Sequence, residues 1–249
     1  MKNKFKKNID LFSLLIMSMK EWAAQAGTYS RIILVVVVPM AVINILRTGK
    51  ISLDIGITAA LIWTLVFTAL LTYSLPRRSS ADLKIGAIYT LAAARLLQYI
   101  TVTIALIASF LPALVALYGL ILGLTSLNIS FLILIPAAVS LGFFGLVLSS
   151  SLGVAQAIAV SSEKTAWESL RSSYRLTRGH RMIVFGGYFI IAIFIILVVF
   201  LFSLVSILSQ SIYENVYLQN IFYASTITVF VPLVFIFQSK LLGALDVKK

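Results

Sequence analysis

Cysteine is absent from this chain, histidine occurs once, and only 11% of its 249 residues are charged. Without a thiol there is neither a disulfide nor a thiolate metal site, and the redox compartment is left open. The eight acidic residues, Asp10, Glu21, Asp54, Asp82, Glu163, Glu168, Glu214 and Asp246, are scattered, with no spacing that would gather metal ligands. Neither a phosphate-cradling G-x-x-x-x-G-K-[ST] loop nor a G-x-S-x-G elbow occurs. No nucleophile, base and orienting group can be assembled from what remains, so no catalytic residue, metal or cofactor is expected. The two-residue polar alternation of an outer-membrane barrel is missing too.

What is present is apolar. Hydrophobic residues make up 61% of the chain and the mean hydropathy is +1.06, far from the values of a soluble domain. Five stretches carry no charge: residues 32–46, 55–76, 96–162, 182–213 and 215–239. One span needs ~20 apolar residues, whereas 96–162 would run roughly 100 Å as a single helix. It is therefore expected to fold back, and Gly119, Gly123, Thr125, Ser126, Asn128 and Ser130 place the turn at 119–130. The pattern predicts an all-α integral membrane fold, one polytopic domain over 1–249, with six transmembrane helices at about 32–47, 55–75, 96–119, 130–160, 182–209 and 219–240. Residues 1–31 read as retained, because Lys20 and Glu21 interrupt any leader-like apolar core.

Orientation follows from the cations, which resist translocation. Of 20 Lys and Arg, Arg47 and Lys50 fall between the first two spans and the other 18 lie on the opposite side. Both termini are thus expected in the cytoplasm, with short outer loops near 47–54, 119–130 and 210–219. The net charge of +12 sits on one membrane face, where it attracts anionic lipid; nucleic acid is not an expected partner.

The cytoplasmic segments are patterned. Phe5, Ile9, Phe12, Ile16, Met19 and Ala23 recur at helical spacing. A second helix is expected at 82–95 with Ile85, Ile88, Leu91 and Ala92 on one side. A third begins near Ser162, with Trp167, Leu170, Tyr174 and Thr177 as its apolar line and Lys164, Arg171, Arg175 and Arg178 as a basic line beside it. All three read as interfacial helices in the headgroup region. Each precedes an outward and a returning span, which predicts a threefold repeat of helix plus hairpin over 5–76, 80–162 and 163–245.

Within the spans no ionisable residue sits near a helix centre, which counts against ion-coupled transport. Pro39, Pro112, Pro136 and Pro232 are expected to kink their helices, and broken helices can build substrate sites. Asn44, Gln98, Gln156 and the line Ser203, Ser206, Ser209 read as interhelical hydrogen-bonding groups.

One segment has a specific look: Ser169-Leu170-Arg171-Ser172-Ser173-Tyr174-Arg175-Leu176-Thr177-Arg178-Gly179-His180-Arg181. It resembles the cytoplasmic motif of the bacterial glycerophosphoryl diester phosphodiesterase membrane domain family and its six-span relatives. Leu170, Arg171, Ser173, Leu176, Thr177, Arg178 and Gly179 match that pattern; Ser169 stands where Ala is usual and Tyr174 where Trp is usual. The resemblance implies a bacterial inner-membrane protein. The catalytic domain associated with the family needs carboxylate-held metal and two histidines, and here His180 stands alone. The expectation is the membrane part without the enzyme: a non-enzymatic multi-pass component in which Arg171, Arg175, Arg178 and Arg181 bind anionic lipid headgroups or a membrane protein partner, a second copy of the chain included. The rival is a permease or channel subunit for an uncharged or amphiphilic substrate.

Overall fold

The computed structural model describes residues 10–46, 53–75, 84–126, 134–208 and 216–246, where all regular structure is helical. The helices are α1 (Leu11–Leu46), α2 (Leu53–Ser74), α3 (Ile85–Ser126), α4 (Leu134–Leu152), α5 (Ala155–Ser161), α6 (Ala166–Thr177), α7 (Arg181–Leu208) and α8 (Val216–Asp246). Three stretches, Leu11–Met40, Ile85–Ile121 and Ile135–Ser161, are long and apolar enough to cross a membrane; Thr58–Ser74 and Arg181–Phe194 are shorter apolar helices. The chain is a membrane protein, all-helical in its regular structure among the described residues.

Several boundaries differ from the sequence reading. The first interfacial helix and the first span form one 36-residue helix, interrupted at Gln25, whose dihedrals (φ −119°, ψ 15°) leave the helical region. Likewise α3 runs unbroken for 42 residues, through the expected interfacial segment and through Gly119, Gly123, Thr125 and Ser126 of the expected turn. Such residues do not end a helix where no water competes for its backbone. Asn128 and Ser130 lie outside the described residues. The span expected at 130–160 divides instead, with α4 ending at Leu152 and α5 starting at Ala155. A run of hydroxyls leads into that break: Ser149, Ser150 and Ser151 donate back to carbonyls of Gly145, Leu146 and Val147, a local competition that weakens a helix.

The four prolines of the spans all fall within helices. Pro136 is the third residue of α4, where the missing N–H is one that has no intrahelical partner anyway. Helices α1, α3 and α8 continue through Pro39, Pro112 and Pro232. The irregular residue of α1, Gln25, lies well before Pro39.

By internal contacts the chain forms two compact units, residues 1–96 with 187–249, and residues 97–186. These limits fall inside α3 and α7 and not at the expected repeat borders. In the first unit α1, α2 and α8 pack around Tyr29, Ile32, Ile33, Leu70, Ile236 and Phe237, all at most 1% exposed. Ser239 donates to the Ser74 carbonyl at 2.9 Å and the Tyr89 hydroxyl to the Ile32 carbonyl at 2.6 Å, tying helices across this core. Glu21 pairs with Lys240. On α1, Phe12, Ile16, Met19 and Ala23 of the expected stripe are exposed while Ser18 is buried, so that stripe faces away from the protein. Phe5 and Ile9 are outside the described residues. In α3, Ile88 and Ala92 are buried and Leu91 is exposed.

The second unit has a core of Val102, Ala155 and Ala159, against which Ala166 and Leu170 of α6 pack. Gln156 Nε2 donates to Thr103 Oγ1 at 2.9 Å, the interhelical role expected of it. Helices α3 and α4 meet at small residues: a Cβ on Gly145 would lie 2.6 Å from the Ala113 backbone nitrogen, and one on Gly142 3.3 Å from Ala116 Cβ. Only residues without bulk allow backbones this close. Gln98 Oε1 is buried without a hydrogen-bond partner; Asn44, Ser203, Ser206 and Ser209 have no described side chains.

Candidate functional site

The segment that carries the motif folds as a short helix with a defined start and stop. Thr165 and Glu168 form a reciprocal capping box: the Glu168 N–H donates to Thr165 Oγ1 at 3.3 Å and the Thr165 N–H donates to Glu168 Oε2 at 2.9 Å. The bond from the Thr165 backbone N–H, then that from its hydroxyl, holds the Glu168 carboxyl below the usual carboxylate range, with Lys164 adding to the effect. This box fixes the helix start at Ala166, four residues after Ser162, and its T-x-x-E signature stands in the sequence.

The face that α6 turns to the protein holds only half of the expected apolar line, Leu170 and Thr177. Ser169, Ser173 and Thr177 are fully buried, whereas Trp167 is 74% and Tyr174 46% exposed. The reason lies at the break after α4. Helix ends leave carbonyls without intrahelical partners, and the Ser151 carbonyl accepts from Ser173 Oγ and from Thr177 Oγ1, each at 3.0 Å. Thr177 Oγ1 also lies 2.9 Å from the Ser173 carbonyl, so it shares its proton between two acceptors. Two hydroxyls from α6 thus cap the C-terminus of α4. The sequence signal for this face is the hydroxyl at every fourth position, Ser169, Ser173 and Thr177.

Around the helix, the exposed Trp167 and Tyr174 flank the docked face, and Arg171 and Arg175 follow them, both exposed. The four arginines do not share one helix. Arg178 ends α6 in a non-helical conformation (φ −58°, ψ 118°) and Gly179 has φ +88°, so the chain reverses before Arg181 opens α7. A side chain at position 179 would meet nothing within 4 Å; the left-handed φ is what calls for glycine there. The His180 N–H donates to the Thr177 carbonyl at 2.8 Å, and the His180 carbonyl accepts from Ile183 and Val184 at 3.0 Å, closing the first turn of α7.

Arg178 and Arg181 thus lie on either side of a turn in place of sharing one helix. Tyr174, Arg178, Gly179, His180, Arg181, Met182 and Ile183 line an open recess of about 600 Å³. Arg171 and Arg175 do not reach it. The Arg181 guanidinium carbon sits 4.6 Å from the centroid of the Tyr174 ring, a cation–π contact that orients it. Arg181 Nε is buried with no acceptor, an unmet donor that costs about 1–3 kcal/mol. No carboxylate lines the recess, and among the described residues no cluster of His, Asp or Glu is placed to hold a metal. The arrangement offers cations, an aromatic face and the positive end of the α7 dipole: it suits the binding of an anion. No family model, no curated protein and no solved structure matches the chain, so its reading rests on these residues.

Proposed function

We propose that this protein is a non-enzymatic multi-pass component of the bacterial cytoplasmic membrane that binds anionic lipid headgroups through α6 and the turn after it. The observation that carries the reading is the three-sided build of α6. One side is docked by hydroxyls, the next presents exposed Trp167 and Tyr174, and the third presents exposed Arg171 and Arg175. Aromatic rings at the acyl boundary with guanidinium groups beside them suit an interfacial helix on an anionic leaflet. Six spans with both termini in the cytoplasm complete the proposal, supported by the distribution of the 20 cations. The order of elements supports the threefold repeat: amphipathic segment, outward helix and returning helix recur as α1–α2, α3–α5 and α6–α8. The likeness of Ser169–Arg181 to the membrane-domain motif is part of the same proposal, as a shared headgroup-facing segment.

The test is lipid retention. Each basic residue near an anionic surface contributes ~1 kcal/mol, so changing Arg171, Arg175 and Arg178 together to Gln should cut retention by about two orders of magnitude. The triple change of Lys2, Lys4 and Lys6 to Gln removes equal charge from the terminus and should cost less, since lysines make point-charge contacts in place of bidentate ones. Quantifying co-purified lipid by native mass spectrometry decides. Equal losses from both variants would reduce the effect to general electrostatics and end the site reading.

A further inference from the structure

We infer that the recess at the α6–α7 turn is a seat for a terminal phosphate, that is, a phosphomonoester, and so discriminates among anionic headgroups. The inference narrows the lipid reading above and rests on it. Its basis is the recess lining: two guanidinium groups and His180, with no carboxylate and no carboxamide. Arg181 is aligned by the Tyr174 ring and has an N–H without an acceptor, while Arg178 is exposed at the rim. The acidic residues of this segment, Glu163 and Glu168, lie at the opposite end of α6. The cations are therefore presented without a carboxylate among the lining residues.

Such a lining selects by what it lacks. A headgroup ending in an amine or a quaternary ammonium would bring a cation against Arg178 and Arg181. One ending in glycerol hydroxyls would bring donors to a wall with few side-chain acceptors, and an unmatched polar group is rejected strongly. A terminal phosphate carries a second charge and three free oxygens, which two planar guanidinium forks can take bidentately. The positive end of the α7 dipole falls at the same place. Met182, at 73% exposure on the recess wall and beside the reversal, gives acyl chains an apolar edge to follow. The same phosphate chemistry could come from a soluble monoester, and the experiment separates the two sources.

Full-length protein is placed in phosphatidylcholine nanodiscs carrying either phosphatidic acid or phosphatidylglycerol at matched surface charge, and bound lipid is counted by native mass spectrometry. Wild type should retain phosphatidic acid about tenfold better or more, the equivalent of one charge-assisted bidentate pair. Arg178→Gln, at an exposed position, should erase that preference, and Arg171→Gln, which removes the same charge outside the recess, should preserve it. Displacement by glycerol phosphate would support the phosphate seat with a soluble occupant; resistance to it would support the lipid. Equal retention of the two anionic lipids by wild type overturns the phosphate inference and leaves the broader lipid reading standing. Retention of neither above phosphatidylcholine overturns both.

Discussion

Removing the two hydroxyls that dock α6 should cost more together than apart. In Ser173→Ala the Ser151 carbonyl keeps Thr177 as a donor, although the carbonyl of residue 173 still shares that proton. The expected loss is about 0.6 kcal/mol, an average interhelical hydrogen bond in a membrane protein. Thr177→Val keeps shape and leaves Ser173 as the donor, at a similar cost. In the double variant the Ser151 carbonyl, on a residue only 1% exposed, loses both hydroxyl donors. Leaving a buried acceptor unmet costs about 1–3 kcal/mol, so the pair should exceed the sum of its members by about 1 kcal/mol. Equilibrium unfolding in mixed micelles measures the coupling, and amide exchange along α6 locates it, with protection lost from α6 ahead of α4. The charge of the basic flank is unchanged in all three variants, so any accompanying fall in lipid retention reports the docking of α6 alone. Strict additivity within about 0.3 kcal/mol would refute the claim that both hydroxyls serve one carbonyl.

Gly145→Ala should destabilise the protein by about 1–3 kcal/mol because its Cβ would meet Ala113 backbone, while Gly119→Ala, with nothing within 4 Å, should be neutral or gain up to about 1 kcal/mol; mixed-micelle unfolding of both compares the signs. Because the folded-state pKa of Glu168 is lowered, its contribution is present above the ordinary carboxylate range and is lost as pH falls through the folded value. Amide exchange at the start of α6 should accelerate in acid, and Glu168→Gln should abolish that pH dependence. The cysteine-free chain suits a labelling scan: single cysteines at Lys50, Asn128 and Glu214 should react with an impermeant reagent from outside sealed cells and one at Arg175 should not, and labelling at Arg175 would overturn the threading.

Helices α2 and α7 lie within two residues of their expected limits, 55–75 and 182–209, because each nearly coincides with a charge-free apolar run of helical length. Elsewhere charge marks the boundary without ending the helix. Lys240 lies inside α8, which continues to Asp246, since a lysine can keep its stem over apolar surface while its head finds a partner, here Glu21. The same reason hides the junctions at Gln25 and near Arg95, where the expected interfacial segment and the expected span share one helix. In the site, Thr165-Ala166-Trp167-Glu168 was a readable cap. The docked face was not readable from its own helix, because its partner is a carbonyl freed by a break some twenty residues earlier. The turn between Arg178 and Arg181 depends on the left-handed Gly179, and helical spacing extended past Thr177 concealed that turn.

The choice of hydroxyls for the docked face of α6 has a physical consequence for how the helix can lie on a membrane. If α6 docked through an apolar face, that face could bury itself equally well in the acyl boundary, and rotation about the helix axis would be weakly determined. Ser169, Ser173 and Thr177 gain little from lipid, whereas against the Ser151 carbonyl two of them find a specific partner. Trp167 and Tyr174, by contrast, have no comparable surface to bury against and remain exposed, as amphipathic rings at a headgroup boundary do. Under the proposed lipid reading the helix is therefore set in rotation from both sides, by hydrogen bonds toward the protein and by aromatic rings toward the leaflet. That leaves Arg171 and Arg175 on the remaining side and carries Tyr174 to the point where Arg181 can stack on it. A change in the hydroxyl face should accordingly alter the recess without touching any residue that lines it, which is why the double variant at Ser173 and Thr177 also tests how the recess is held.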